Sequence, residues 1–187
     1  MKLLLVSTLI LCLYGVVQSD SCPNIIEREE WGARVPEIVD YISFPVKNVI
    51  IQHTVTGQCT TIKACKSIVR SIQNYHIDEV NYGDIGYNFL IGDDGNVYEG
   101  RGWHKQGAHL RGYNTKSIGI AFIGNFKRTL PSDKALTAAK KLMACGVELG
   151  ELSDTYNLYG AKQLSATESP GATLFNRIMN WDHFTET

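Results

Sequence analysis

Four cysteines behind an N-terminal apolar run, Cys22, Cys59, Cys65 and Cys145, constrain the fold of this chain more than any other feature. The apolar run extends from Leu3 to Val17, with one positive charge before it at Lys2 and Val17-Gln18-Ser19 at its end. It is too short to span a bilayer comfortably and has the layout of a secretory signal, so cleavage is expected after Ser19. Cleavage removes Cys12 and leaves an even count, which in an exported protein reads as two disulfides. Four cysteines allow three pairings, and spacing alone does not choose among them. Cys59 and Cys65 bracket a tight turn into a helix, which favours a local bridge. Cys22 and Cys145 would then tie the N-terminus to a distant helix, closing the longer loop and removing more entropy from the unfolded chain.

The remaining residues, 20–187, suit one domain with a proper core. The formal net charge is -1, and no basic cluster points to nucleic acid. No second apolar run is long enough to anchor the chain in a membrane. There is no Asn-x-Ser/Thr sequon, internal repeat or low-complexity stretch.

Strand and helix patterns alternate along the chain. Asn48 to Thr54 is a short β-branched run that ends in His53, and Tyr87 to Gly92 is a second strand. Asp93-Asp94-Gly95-Asn96 supplies a turn, and Val97-Tyr98-Glu99 returns. Ile118 to Gly124 is almost wholly apolar, as expected of a central strand buried on both faces. Tyr156 to Tyr159 gives a short fifth strand. Between Thr60 and Asp78 the residues Ile62, Cys65, Ile68, Val69, Ile72 and Tyr75 recur at three and four, an amphipathic helix. A second helix starts with cap-type residues at Pro131-Ser132-Asp133, buries Ala135, Leu136, Ala139, Leu142, Met143 and Val147, and ends at Gly150. A third begins near Pro170 or Gly171 and is expected to bury Leu174, Phe175, Ile178 and Trp181. The expectation is an α/β fold with a mixed central sheet flanked by three helices. The segment Glu27 to Arg34 reads as a polar lead-in with one large aromatic, Trp31.

Five segments carry a family resemblance: Ile51-Gln52-His53-Thr54, Asp84 to Gly92, Tyr98 to Trp103, Ser117 to Ile120, and Ser165 to Gly171. Each is weak alone, but in this order they resemble the peptidoglycan recognition proteins, over nearly the whole mature chain. The chain is similar to short secreted members of insect type. The resemblance implies the fold of the N-acetylmuramoyl-L-alanine amidases, with disulfides Cys59–Cys65 and Cys22–Cys145. Catalytic members cut the bond between N-acetylmuramic acid and L-alanine with zinc, which needs three protein ligands and an open position for water. The family pattern places one ligand at His53, a second histidine at Ala161 and a cysteine at Ser169. It places the assisting tyrosine at Tyr87 and a further polar residue at Thr167. A methyl group cannot ligate, and a neutral hydroxyl is a poor substitute for a thiolate. The expectation is therefore no zinc, no other cofactor and no amidase activity.

The resemblance also implies a cleft for the muropeptide stem, lined at His53, Thr54, His76, Tyr87, Arg101, His109, Asn114 and Thr167. The residue types suit it: imidazoles and Asn114 can bond amides and sugar hydroxyls, and Arg101 can fork onto a carboxylate. Asn81-Tyr82 resembles the signature of members that prefer lysine as the third stem residue. Arg101 resembles those preferring diaminopimelate, so both ligands are expected. The implied role is a secreted immune receptor for bacterial peptidoglycan that triggers Toll-type or prophenoloxidase signalling. It would act through downstream recognition proteins or proteases, with self-association on the polymer. The rival is an enzyme using Ser169 as a peptidase nucleophile, which requires an adjacent base.

Overall fold

The computed structural model describes residues 22–187; the expected signal and its cleavage at Ser19 lie outside them. Six strands form one sheet: β1 (Ile25–Ile26), β2 (Val46–His53), β3 (Phe89–Ile91), β4 (Val97–Glu99), β5 (Ile118–Phe122) and β6 (Leu152–Gly160). Their order is β1-β4-β3-β5-β2-β6. Only the β3–β4 hairpin is antiparallel; the other neighbours run parallel, so the sheet is mixed as expected.

Four helices accompany the sheet: α1 (Arg28–Trp31), α2 (Ile62–Asp78), α3 (Asp133–Glu148) and α4 (Ala172–Ile178). The three long periodic segments are the three expected helices. Thr61 Oγ1 caps α2 by accepting from the Ala64 N–H, and Ser132 Oγ does the same for Ala135 in α3. α1 is the additional one, a single turn too short for periodicity to reveal. Glu27 and Glu30 close a capping box around it. Its Trp31 is fully buried, and the indole N–H donates to Glu99 O at 2.8 Å. β6 runs from Leu152, four residues before the expected start. Its first half, Ser153-Asp154-Thr155, is polar because β6 is an edge strand with solvent on one side. Ile62 and Tyr75, expected in the core stripe of α2, are exposed; Cys65, Val69, Ile72 and Ile77 are its buried apolar residues.

Alternation along the strands divides the sheet into two faces. On one, Val49, Ile51, Phe89, Ile91, Ile118, Ile120 and Phe122 pack against Leu136, Leu142 and Met143 of α3 and Leu174 and Ile178 of α4. On the other, Leu90 and Tyr98 pack with Trp31, Val69 and Ile72 of α1 and α2. β5 and β2 present Gly119 and Ala121, paired with Ile50 and Gln52, to that second face. Gly119 and Ala121 contribute almost no side chain there, and α1 and α2 pack over β3 and β4. A hollow remains above the carboxyl ends of the parallel strands, where open α/β sheets bind ligands.

Both implied disulfides are present, Cys22–Cys145 across 123 residues and Cys59–Cys65 across six. In the chain-entropy account the long loop contributes about 5 kcal/mol and the short one about 2 kcal/mol. Paired Cys→Ala substitution at Cys22 and Cys145 should therefore lower the unfolding free energy more than at Cys59 and Cys65. Denaturant titration checks this, and an equal or reversed ranking contradicts it.

Candidate functional site

The hollow holds two cavities that share Thr54 and Tyr87. One, of about 490 Å³, is lined by Thr54, Thr56, Ile68, Ser71, Ile72, Tyr75, His76 and Tyr87. The other, of about 370 Å³, is lined by Gln52, His53, Thr54, Val55, Tyr87, Lys127, Thr167, Glu168 and Ser169. A third cavity of about 500 Å³ lies around Cys22, Asp94 and Lys141 and contains none of the residues expected in the cleft.

His53 closes β2. Its backbone N–H donates to Ser169 Oγ at 3.0 Å, and its ring Nδ1 accepts from the Phe126 N–H at 3.2 Å. Burial, then the nearby Lys127 ammonium, lowers its pKa to about 4, so the ring is neutral near pH 7. A neutral imidazole that accepts at Nδ1 carries its proton on Nε2. Ala161 directly follows Gly160, which pairs with Ile51 across the β2–β6 ladder. Its methyl is fully buried beside Ile50 and Leu110. Ser169 is brought alongside because its carbonyl accepts the Lys162 N–H at 2.7 Å. His53, Ala161 and Ser169 therefore meet at the carboxyl ends of β2 and β6.

These three positions do not make a zinc site. Ala161 has no lone pair, Ser169 Oγ already accepts a backbone N–H, and His53 presents an N–H at Nε2. Among the described residues no three His, Cys, Asp or Glu side chains are grouped to hold a metal ion. Ser169 Oγ meets the His53 main chain rather than its imidazole, and the Nδ1 that could serve as a base is engaged by Phe126.

Of the other expected residues, Thr54, His76, Tyr87 and Thr167 line the two cavities, whereas Asn81, Tyr82, Arg101, His109 and Asn114 line neither. His76 Nδ1 accepts the Gly86 N–H at 2.9 Å, which leaves its Nε2–H as a donor. Its ring lies 5.3 Å from Tyr82 and 5.6 Å from Tyr87. Burial lowers the His76 pKa to about 4 and raises that of Tyr87 to about 12, so both are neutral hydrogen-bonding groups. His109 packs so closely on the sheet that a Cβ at Gly119 would stand 2.4 Å from its ring. Its pKa too is lowered to about 4 by burial. Asn114 Oδ1 accepts the N–H groups of His109 and Leu110, so it shapes their loop and keeps only its amide N–H groups free of that task. Thr167 Oγ1 accepts the Ser169 N–H, and Thr54 Oγ1 accepts the Gly124 N–H. Asn81 adopts φ 58° and holds Tyr82 half-exposed at the rim.

Arg101 is placed differently from a free fork. It is buried, and it donates from Nε to Ile85 O at 2.7 Å, from Nη1 to Gln106 O at 2.9 Å and from Nη2 to Tyr82 O at 2.8 Å. It therefore ties together the loops that form one wall. Each terminal nitrogen uses one of its two N–H groups in these bonds.

Sequence reasoning missed Gln52, Tyr75, Lys127 and Glu168 as cleft residues. A polar Gln52 inside an apolar strand was a legible signal. Lys127 and Glu168, which pair across the rim, come from loops 41 residues apart and carried none.

The sequence matches the N-acetylmuramoyl-L-alanine amidase family over residues 43–172. It is 52% identical over 166 residues to peptidoglycan-recognition protein 1 of Holotrichia diomphalia, covering 89% of this chain and 84% of that one. The solved structure of Drosophila peptidoglycan recognition protein SA aligns with a TM-score of 0.87 at 49% identity, over 89% of this chain and 96% of that one. Peptidoglycan recognition protein LE, solved with tracheal cytotoxin, a monomeric diaminopimelic acid-type peptidoglycan, aligns at 0.85 with 44% identity, over 86% and 95%. A two-faced sheet of this topology, a polar cleft at its strand ends and these similarities agree: the chain belongs to the peptidoglycan recognition protein family.

Proposed function

We propose that this protein is a secreted receptor that binds the stem of bacterial peptidoglycan in the cleft and does not cleave it. The observation that carries the proposal is the contrast within one hollow. The ligating positions hold Ala161 and an engaged Ser169, while neutral donors remain around them: His53 Nε2–H, His76 Nε2–H and the Tyr87 hydroxyl. That is a surface for amides and hydroxyls rather than for a metal-bound water. The complex of protein LE with tracheal cytotoxin supports a muropeptide as the ligand class. Release into the extracellular fluid through the 1–19 signal, self-association on polymeric peptidoglycan and coupling to Toll-type or prophenoloxidase cascades belong to the same proposal.

Within it, Asn81-Tyr82 and Arg101 favour dual recognition of lysine-type and diaminopimelate-type stems. The extra carboxylate of diaminopimelate would take the two N–H groups that Arg101 has left, a charge-assisted contact.

Three outcomes follow. Defined muropeptides of both types should bind in calorimetric titration, and mass spectrometry after prolonged incubation should find them intact. A cleaved product at the lactyl–alanine bond or within the stem overturns the non-enzymatic role. Arg101→Lys, which keeps the charge but loses the fork, should weaken the diaminopimelate-type ligand by about ten-fold, corresponding to about 1.4 kcal/mol. The lysine-type ligand should lose less; equal losses would mean that Arg101 acts only through the wall it ties together. The third concerns pH. His53, His76 and His109 have folded pKa values of about 4 against 6.5 for a free imidazole. Between those values the unfolded chain binds protons that the folded chain does not. Stability is thus full above about pH 6.5 and is lost as pH falls toward 4. Glu27, raised to about 7 by its hydrogen bond with Glu99, acts in the opposite direction, one carboxyl against three imidazoles. The melting temperature should fall across that window, and less steeply in His76→Gln; a flat profile contradicts the buried neutral rings.

A further inference from the structure

On the α3 side of the sheet, the face opposite the hollow, α3, the edge strand β6 and the C-terminal segment enclose a further cavity of about 400 Å³. It shares no residue with the two cleft cavities. Its wall is aromatic: Tyr156 from β6, Trp181 and His183 from the C-terminal segment, and beside them the Met143 thioether of α3. His183 adopts φ 65°, a left-handed backbone uncommon for a residue with a side chain. In that conformation its ring stacks on Tyr156, with centroids 4.1 Å apart and planes at 21°. The His183 carbonyl accepts the Leu158 N–H at 2.8 Å, and the Thr185 N–H donates to Leu158 O at 3.0 Å. The tail is thereby fixed as one wall.

Charges of both signs stand at the mouth. Asp154 and Asp182 are exposed, and among the described residues neither carboxylate makes an ion pair or hydrogen bond. The charge of Asp182 nonetheless reaches the wall: burial first, then this carboxylate, raises the Tyr156 pKa to about 12. Lys140 holds its ammonium 5.3 Å from the centre of the Trp181 ring, so that ring already takes a cation.

These groups select a ligand. Among the described residues no three His, Cys, Asp or Glu side chains are grouped for a metal ion. A primary ammonium needs acceptors for three N–H groups, whereas the recessed wall is rings, a thioether and methyl groups. A trimethylammonium group has no N–H to satisfy, and aromatic faces with unpaired carboxylates nearby attract it. Lys140 then offers a cation to an anionic group tied to that head. We propose that this cavity is a ligand site separate from the cleft, for a zwitterion of the phosphocholine class. The trimethylammonium head lies against Trp181, Tyr156 and His183 below Asp154 and Asp182, and the phosphate meets Lys140. Trp181 and Tyr156 are only 7% and 6% exposed, which suits a head group free in solution or carried on a flexible polymer rather than one packed in a membrane.

The test is calorimetric titration of the protein with phosphocholine, choline and 3,3-dimethylbutyl phosphate, in which carbon replaces the charged nitrogen at the same shape. Phosphocholine should bind saturably, and the carbon analogue about ten-fold more weakly. Equal binding of these two, or no saturable binding of phosphocholine, overturns the site. Joint replacement Asp154→Asn and Asp182→Asn should remove the preference for nitrogen over carbon. Lys140→Gln should remove the preference for phosphocholine over choline. These residues are exposed, so the variants should keep the wild-type melting temperature, and a preference that survives its variant contradicts the assigned contact. Saturating muropeptide should leave phosphocholine binding unchanged; displacement would move the ligand into the cleft and overturn a separate site. Cosedimentation with phosphatidylcholine vesicles would overturn the soluble or polymer-borne source.

Discussion

The cleft depends on what the central strand lacks. β5 turns Ile118, Ile120 and Phe122 toward α3 and α4, and turns Gly119 and Ala121 toward the other face. With almost no side chain there, the sheet leaves a hollow instead of a second complete core. His109 enters that hollow and lies against Gly119, where any Cβ would overlap its ring. Gln52 reaches the same floor from β2 and bonds the His109 carbonyl. The pleat of one strand thus sets the depth of the site and the position of two of its polar groups.

The walls are built by interactions of a different kind. Arg101 donates to three main-chain carbonyls, two in the loop between α2 and β3 and one in its own loop between β4 and β5, and Asn114 accepts two N–H groups within that second loop. Arg28, Asp84 and Gln73 form a buried charged network behind the same wall. Loops carry the site, and buried side-chain bonds to main chain keep them in one arrangement. Neutral imidazoles follow from this burial. His53 and His76 each accept a backbone N–H at Nδ1, which directs the remaining proton outward as a donor.

Much of this was legible in the sequence because it depends on period and local chemistry. The helical periods of α2 and α3, the Ser132 cap and the apolar β5 are local patterns, and the structure follows them except at Ile62 and Tyr75 of α2, which are exposed. α1 was hidden because four residues make no period, and Trp31 is buried through a bond to Glu99, 68 positions away. The polar half of β6 was hidden because an edge strand need not alternate. At the site, the expectation at Ala161 and Ser169 rested on the family resemblance. The inward set of Arg101 and the unpartnered oxygen of Gln52 could not, since both depend on carbonyls brought close only by the fold.

The proposed role separates ligand binding in the cleft from metal chemistry. The most direct measurement is the dissociation constant of a defined muropeptide in the presence of a strong chelator and in the presence of excess zinc, with metal content determined on the same samples. The account predicts one affinity in both conditions and no stoichiometric zinc. Affinity that collapses with the chelator, or one zinc per chain after dialysis, would contradict it.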